Sequence, residues 1–225
     1  MYLPQHFEET RRERLFQLIT EYPLGLLITR DADGAPVVDP IPFLLDTQAG
    51  PWGTLIGHVA RANPGWRAFA APTGAPAGEH GSALVIFQGP QAYVSPSAYA
   101  GKAEHGRVVP TWNYAVVEAR GRGRILDDAR AHSVVSRLTQ WHEAPQQRPW
   151  SVDDAPPDYV ESMLKAIVCL EIPLDHLVGK FKLSQNRNAA DRAGVATWLA
   201  TRADEGARAL ADWTAAASVH PIDRT

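Results

Sequence analysis

Apolar residues recur at helical spacing early in the chain, where Phe7, Leu15, Leu18 and Ile19 fall near one face. The spacing predicts a helix over 7–20, with Glu8, Glu9 and Glu13 in the early positions that the helix dipole favours for anions. Pro23 ends it. "LGLLITR" (24–30) is an apolar run of strand length, and "DADG" (31–34) is a turn signal with Gly34 free to take a positive φ. "APVVDPIPFLLD" (35–46) resumes extended structure, but Pro36, Pro40 and Pro42 confine it to a sheet edge or a bulge. The two runs together predict a β-hairpin.

Further strands are predicted at "TLIGHV" (54–59), "ALVIFQG" (83–89) and "QAYVS" (91–95), the last beyond a bend at Gly89-Pro90. "NYAVVEARGRGRIL" (113–126) is extended, as are "AIVCLEI" (166–172) and, after Pro173, "HLVGKFKLSQ" (176–185). Helices are predicted at 128–143, in "PDYVESMLKA", and through most of the tail from Asn188. A short helix begins at Pro64 with Asn63 as its cap. Residues 71–82 and the proline-rich 144–157 read as loops.

Connections within the first hundred residues are too short for parallel crossovers. The fold class expected is therefore α+β, a mainly antiparallel barrel with peripheral helices, not a doubly wound sheet. Residues 1–185 form the expected barrel domain and 186–225 a helical segment on or beside it.

Composition narrows the function classes. The chain has 225 residues, 45% of them hydrophobic, which suffices for a substantial core. Net charge is −3 with no long run of one sign, which argues against generic nucleic-acid binding. Cys169 is the single cysteine, so no intrachain disulfide forms. No apolar run reaches the ~20 residues of a membrane helix, and the N-terminal segment lacks a signal-peptide pattern. A cytoplasmic protein is expected.

Three stretches carry candidate chemistry. "GHVARANP" (57–64) puts His58, Arg61 and Asn63 at a strand end before a helix start. This suits a phosphate site or, equally, an exposed capped turn. "VPTWNY" (109–114) sets Trp112 and Tyr114 around Thr111 and Asn113, a composition that fits a flat heteroaromatic ligand or an aromatic core strand. "GKFKLSQNR" (179–187) alternates Phe181 and Leu183 with Lys182, Ser184 and Asn186. It reads as an edge strand running into a helix capped by Asn188. No metal motif, P-loop or nucleophile elbow is present, so no metal site is assigned. The arginines at 187, 192, 202 and 208 are interspersed with acids, the pattern of a solvated face more than of a DNA reader.

Taken with "MYLPQHF" and "VIFQGPQAYVSPSAY", these motifs occur in the order of the PaiB-type FMN-binding negative transcriptional regulators, which the chain resembles from Met1 to about Leu199. The resemblance implies a split β-barrel of the flavin-binding type. It implies a homodimer with FMN in a cleft between subunits. It places His58, Ala60, Arg61 and Asn63 near the phosphate and ribityl end, and Thr111, Trp112 and Asn113 near the ring. Lys182, Ser184, Gln185 and Asn186 complete the site, from the same or the other subunit. Where related stretches carry a second aromatic before the tyrosine, this chain has Ala98, which would open a stacking wall. The functions implied are a flavin- or metabolite-responsive regulator, or an FMN-dependent oxidoreductase on a small molecule. A third use of such barrels is haem binding, with His58, His105 or His176 as axial ligand.

Overall fold

The computed structural model describes residues 1–31, 33–70 and 81–217. The loop predicted over 71–82 lies almost wholly outside the described residues. Among the described residues there are nine strands: β1 (Glu8–Glu9), β2 (Leu24–Arg30), β3 (Pro36–Pro42), β4 (Leu44–Asp46), β5 (Thr54–Ala60), β6 (Ser82–Val94), β7 (Thr111–Arg122), β8 (Arg124–Ile125) and β9 (Ile167–Lys182). The helices are α1 (Arg12–Glu21), α2 (Gly101–His105), α3 (Ala131–Glu143), α4 (Pro157–Lys165), α5 (Ala189–Ala200) and α6 (Glu205–Ala215). The sheet runs in the order β3-β2-β6-β7-β9-β5-β4, with β1 and β8 also pairing with β9. It is an open path whose ends are β3 and β4, and the fold is α+β.

Several predicted elements shift, each for a physical reason. The first helix starts at Arg12, not at residue 7. Glu8 and Glu9 instead pair with Lys180 and Gly179 of β9. The Glu9 carboxylate then accepts the Arg11 backbone N–H at 2.9 Å, which fixes the turn into the helix. The bend expected at Gly89-Pro90 does not divide β6, which continues to Val94. Likewise Pro173 does not divide β9. It sits opposite Thr54 at the end of the β5–β9 ladder, and just beyond it Leu174 N–H donates to Gly53 C=O at 3.0 Å. The hairpin β2–β3 has the expected register, from Leu24 opposite Pro42 to Arg30 opposite Pro36.

The chain forms two compact units, and β6, β7 and β9 each contribute residues to both. One unit comprises Met1–Leu18, Gln88–Val117 and Val178–Thr225. Its interior holds Leu15, Leu18, Phe181, Leu183, Leu199 and Trp213, with the Phe181 and Trp213 rings edge to face at 5.3 Å. Gly179 permits the approach of α1: a Cβ there would stand 2.3 Å from Leu15 Cδ2. The capping predicted for α5 is present, with Asn188 Oδ1 accepting from Asp191 N–H at 2.8 Å. The Asp191 carboxylate, itself buried, accepts the Gly101 N–H at 2.9 Å.

The other unit comprises Ile19–Phe87 and Glu118–Leu177. Its core gathers Ile56, Leu126, Val134, Leu138 and Cys169, under the apolar face of α3. Each such side chain contributes roughly 1.5–3 kcal/mol when taken fully out of water. Among the described residues no helix is long and apolar enough to cross a membrane, and no group of three His, Cys, Asp or Glu is placed to hold a metal ion.

Candidate functional site

The end of β9 is two-faced. Successive side chains of a strand point to opposite sides, and here the two sides differ in chemistry. Phe181, Leu183 and Gln185 line one cavity, whereas Lys182, Ser184 and Asn186 line another together with Thr111 and Asn113 of β7. The second cavity measures about 90 Å³ and lies within the first unit.

Lys182, Asn113 and Ser184 are tied to their neighbours in this cavity, whereas Asn186 is exposed at its rim. Lys182 Nζ donates to Thr111 Oγ1 and, at 2.7 Å, to Trp112 C=O. Burial pushes its pKa down, and the charges of Lys180 and Arg187 push it further in the same direction. Asn113, 1% exposed, donates through Nδ2 to Ser184 Oγ at 2.9 Å. Its Oδ1 is buried and has no partner. Such a group carries a desolvation cost of roughly 1–3 kcal/mol until something satisfies it. Ser184 meets Asn113 from a backbone φ of 66°, the left-handed region that a non-glycine residue seldom adopts.

Two polar members of the cavity, Tyr99 and Arg187, were not singled out as ligand residues in the sequence. Tyr99 is buried, and Arg187 lies over its ring at 4.9 Å. Burial raises the Tyr99 phenol pKa, which nearby Arg187 and Ser184 oppose. The hydroxyl closes no hydrogen bond of good geometry, although both groups stand beside it. The signal available was the tyrosine ending "SPSAY", but no local pattern tells that its ring meets residue 187.

Gln185 belongs to the other face. Its amide accepts from Leu183 N–H at 2.7 Å and donates to Phe181 C=O at 2.5 Å, tying the strand end to itself. Trp112 is half exposed beside the site, with Nε1 donating to Gln91 Oε1 at 3.1 Å and its ring edge to face with Tyr93. Ala98 does not open a wall. It is buried, and a Cβ on Gly194 of α5 would stand 2.4 Å from its carbonyl oxygen, so helix α5 covers that position.

The second predicted group lies in the other unit. Arg61 Nε donates to Lys165 C=O at 2.9 Å, and Nη2 donates to Asp128 and to Ile167 C=O at 2.9 and 2.8 Å. These bonds make Arg61 a clamp on the α4–β9 junction. Asn63 caps the turn Pro64–Phe69 through Gly65 N–H at 2.8 Å and donates to Asp39 at 2.8 Å. Ala60 is exposed at the end of β5. His58 is half-buried opposite Cys169, with Nδ1 unpartnered and its pKa lowered by burial. Of the other histidines named, His105 Nδ1 accepts from Arg107 N–H at 3.0 Å, and the His176 ring stands edge to face with Trp52.

An open antiparallel sheet of this order, flanked by helices, is the fold of the split-barrel flavin-binding proteins. Residues 1–176 match the family described as "Putative FMN-binding domain", and the chain belongs to that family. It is 30% identical to "Protease synthase and sporulation protein PAI 2" of Bacillus subtilis, over 94% of this chain and 95% of that one. It is 35% identical to "Uncharacterized protein AN0679" of Emericella nidulans, with the same coverage of 94% and 95%. Among solved structures, the flavocytochrome Anf3 of Azotobacter vinelandii superposes with a TM-score of 0.58 at 14% identity, over 80% of this chain and 72% of that one. The PaiB-type resemblance read from the motifs is borne out, and FMN is the cofactor of the family.

The residues present fit that group. The Lys182 cavity is too small for a whole FMN and is sized for one edge of it. It offers cationic donors in Lys182 and Arg187 and an acceptor in Asn113 Oδ1.

Proposed function

We propose that the protein holds FMN with the Lys182–Asn113–Ser184 cavity and acts as a flavin-responsive regulator that does not itself read DNA. The observation that carries this reading is the buried, unpartnered Asn113 Oδ1 set beside two cationic side chains. A phosphate monoester, with a second pKa of about 6, is mostly dianionic at neutral pH and so is a poor proton donor to such an acceptor. The pyrimidine edge of a flavin has an N–H flanked by two carbonyls, and so matches an acceptor placed among donors. Bound FMN supplies reversible uptake of electrons. Lys182 and Arg187 place positive charge where it favours negative charge on the ring, and Ser184 fixes the Asn113 amide. Tyr99, under Arg187, excludes water from that side.

The regulatory half of the proposal is supported by the relative named for protease synthesis and sporulation. Direct reading of DNA has little to use in the C-terminal helices. Arg192 Nε is buried, and Arg208 Nη1 donates to the carbonyls of Arg202 and Ala203 at 3.2 and 2.9 Å. The working form in this reading is a cytoplasmic homodimer, in which the second subunit covers the exposed Trp112 and Val109 beside the cavity.

The test is a complementation assay paired with a spectrum. Purified wild-type protein gives a flavin absorption profile with added FMN and no sequence-dependent retention of DNA. Deleting the gene alters expression of target genes, and wild type restores it while Lys182→Ala does not. Restoration by a Lys182→Ala protein that no longer binds FMN would refute flavin dependence.

The second reading is an FMN-dependent oxidoreductase, favoured by the same cationic edge, which eases reduction of a ring beside it. Its test is transfer from reduced flavin to nitro, imine or quinone acceptors. Failure with all three classes removes it.

A further inference from the structure

Strands β2, β6 and β7 are neighbours in the sheet, and in the second unit their ends line a half-open concavity of about 440 Å³. Arg30 ends β2, Ser82 begins β6, and Arg120 and Arg122 end β7. All four line the cavity, with Asp175 of β9 as its one carboxylate among the described residues. Three guanidinium groups against one carboxylate is a concentration of positive charge in a chain of net charge −3.

The sequence "RGRGR" at 120–124 explains why the arginines face outward. Arginine and glycine alternate, and a strand sends alternate residues to opposite faces. The glycine face admits no side chain. A Cβ on Gly121 would stand 2.1 Å from Pro173 C=O, and one on Gly123 would stand 2.4 Å from the Phe69 ring. Both glycines are buried and the three arginines are exposed. A slip of one residue is therefore sterically barred.

Neighbouring groups occupy these arginines unequally. Arg124 pairs with the buried Glu171, outside the cavity. Arg120 meets Glu118 at 3.0 Å along its own strand, and Arg30 Nη1 donates to Gly34 C=O at 2.8 Å. The Arg122 side chain has no hydrogen bond or ion pair among the described residues. It faces a concavity that already contains two like charges, an arrangement that an anion relieves.

We propose that this cavity binds a phosphate-bearing small molecule, with Arg122 as its principal contact. Planar guanidinium forks match phosphate oxygens in pairs, which an ammonium does not. A small molecule suits the site better than a nucleic acid. The basic groups converge in a concavity, whereas a duplex needs them spread along an extended face, and the acidic chain as a whole repels a long polyanion.

The experiment is isothermal titration of FMN-saturated protein, so that any flavin phosphate site is already filled, with flavin absorbance followed throughout. Inorganic pyrophosphate and AMP are expected to bind without releasing flavin, and adenosine is not. Arg122→Gln weakens both by about tenfold or more, corresponding to about 1.4 kcal/mol. Arg122→Lys recovers part of the loss. Arg107→Gln, on the other unit, leaves binding unchanged. Equal pyrophosphate affinity in wild type and Arg122→Gln overturns the proposal, as does absence of pyrophosphate binding at millimolar concentration. Duplex DNA binding that is lost in Arg122→Gln, with no response to pyrophosphate, also overturns it and assigns the face to nucleic acid.

Discussion

Ser184 holds the side-chain amide of Asn113 at 2.9 Å, with both residues buried, and does so from a left-handed backbone. An unfavourable φ and an unsatisfied acceptor thus stand side by side. Both are costs to the folded chain, and in the proposed reading a bound partner offsets them.

Removing the hydroxyl separates these costs. Ser184→Ala keeps the strained φ and leaves both ends of the Asn113 amide without a partner, so urea unfolding should show a loss of about 1–3 kcal/mol. Ser184→Gly loses the same hydrogen bond but relieves the backbone, and should be less destabilised than the alanine variant.

Lys182 and Lys165 make a matched pair for flavin affinity. Lys165 stands on the surface of α4, bonded to Glu161 at 2.6 Å. Lys182→Ala is expected to weaken FMN binding by about tenfold or more, and Lys165→Ala to leave it unchanged, by fluorescence titration. Because burial lowers the Lys182 pKa below the ordinary 10.5, the charge is lost earlier than usual as pH rises. FMN affinity should therefore begin to fall at alkaline pH below that value in wild type, and should lack this step in Lys182→Ala.

Glu9 reports on the acid limb. Burial alone would raise its pKa. The hydrogen bonds from Arg11 and the charges of Arg11 and Arg14 outweigh burial, and the carboxyl titrates below its usual 4.5. A carboxylate with a depressed folded pKa stabilises the fold above the unfolded value, and that stabilisation disappears as pH falls through the folded one. Glu9→Gln should cost about 2 kcal/mol at neutral pH and flatten stability against pH below 4.5.

Cys169 should be chemically silent. Burial is the main reason its thiol is pushed up to about 11, with Asp128 adding to the effect. A disulfide reagent at pH near 8 should leave the native protein unmodified and label one thiol per chain after unfolding.

Much of the fold was written in local patterns. The β2–β3 hairpin, the Asn63 and Asn188 caps and the α3 helix follow from residues a few positions apart. What escaped was set by distant partners. The helix predicted from residue 7 is shortened because β9, some 170 positions on, pairs with Glu8 and Glu9. Pro173 reads locally as dividing two strands, yet it lies inside β9, at the end of the ladder with β5. The candidate residues divide in the same way. Thr111, Asn113, Lys182, Ser184 and Asn186 meet in one cavity, as two of the quoted motifs suggested. Arg61 looked equally apt for an anion in isolation, but its donors meet carbonyls about a hundred positions away.

The alternation at the end of β9 has a consequence for how this segment tolerates length changes. Inserting or deleting one residue between Gly179 and Ser184 would turn the lysine ammonium toward the Trp213 ring, where Phe181 now packs, and present phenylalanine to the polar cavity. A two-residue change would preserve the facing and shift only the reach. Among homologous chains, variation in length here is therefore expected in even steps, and a chain that breaks this parity should have lost the cavity.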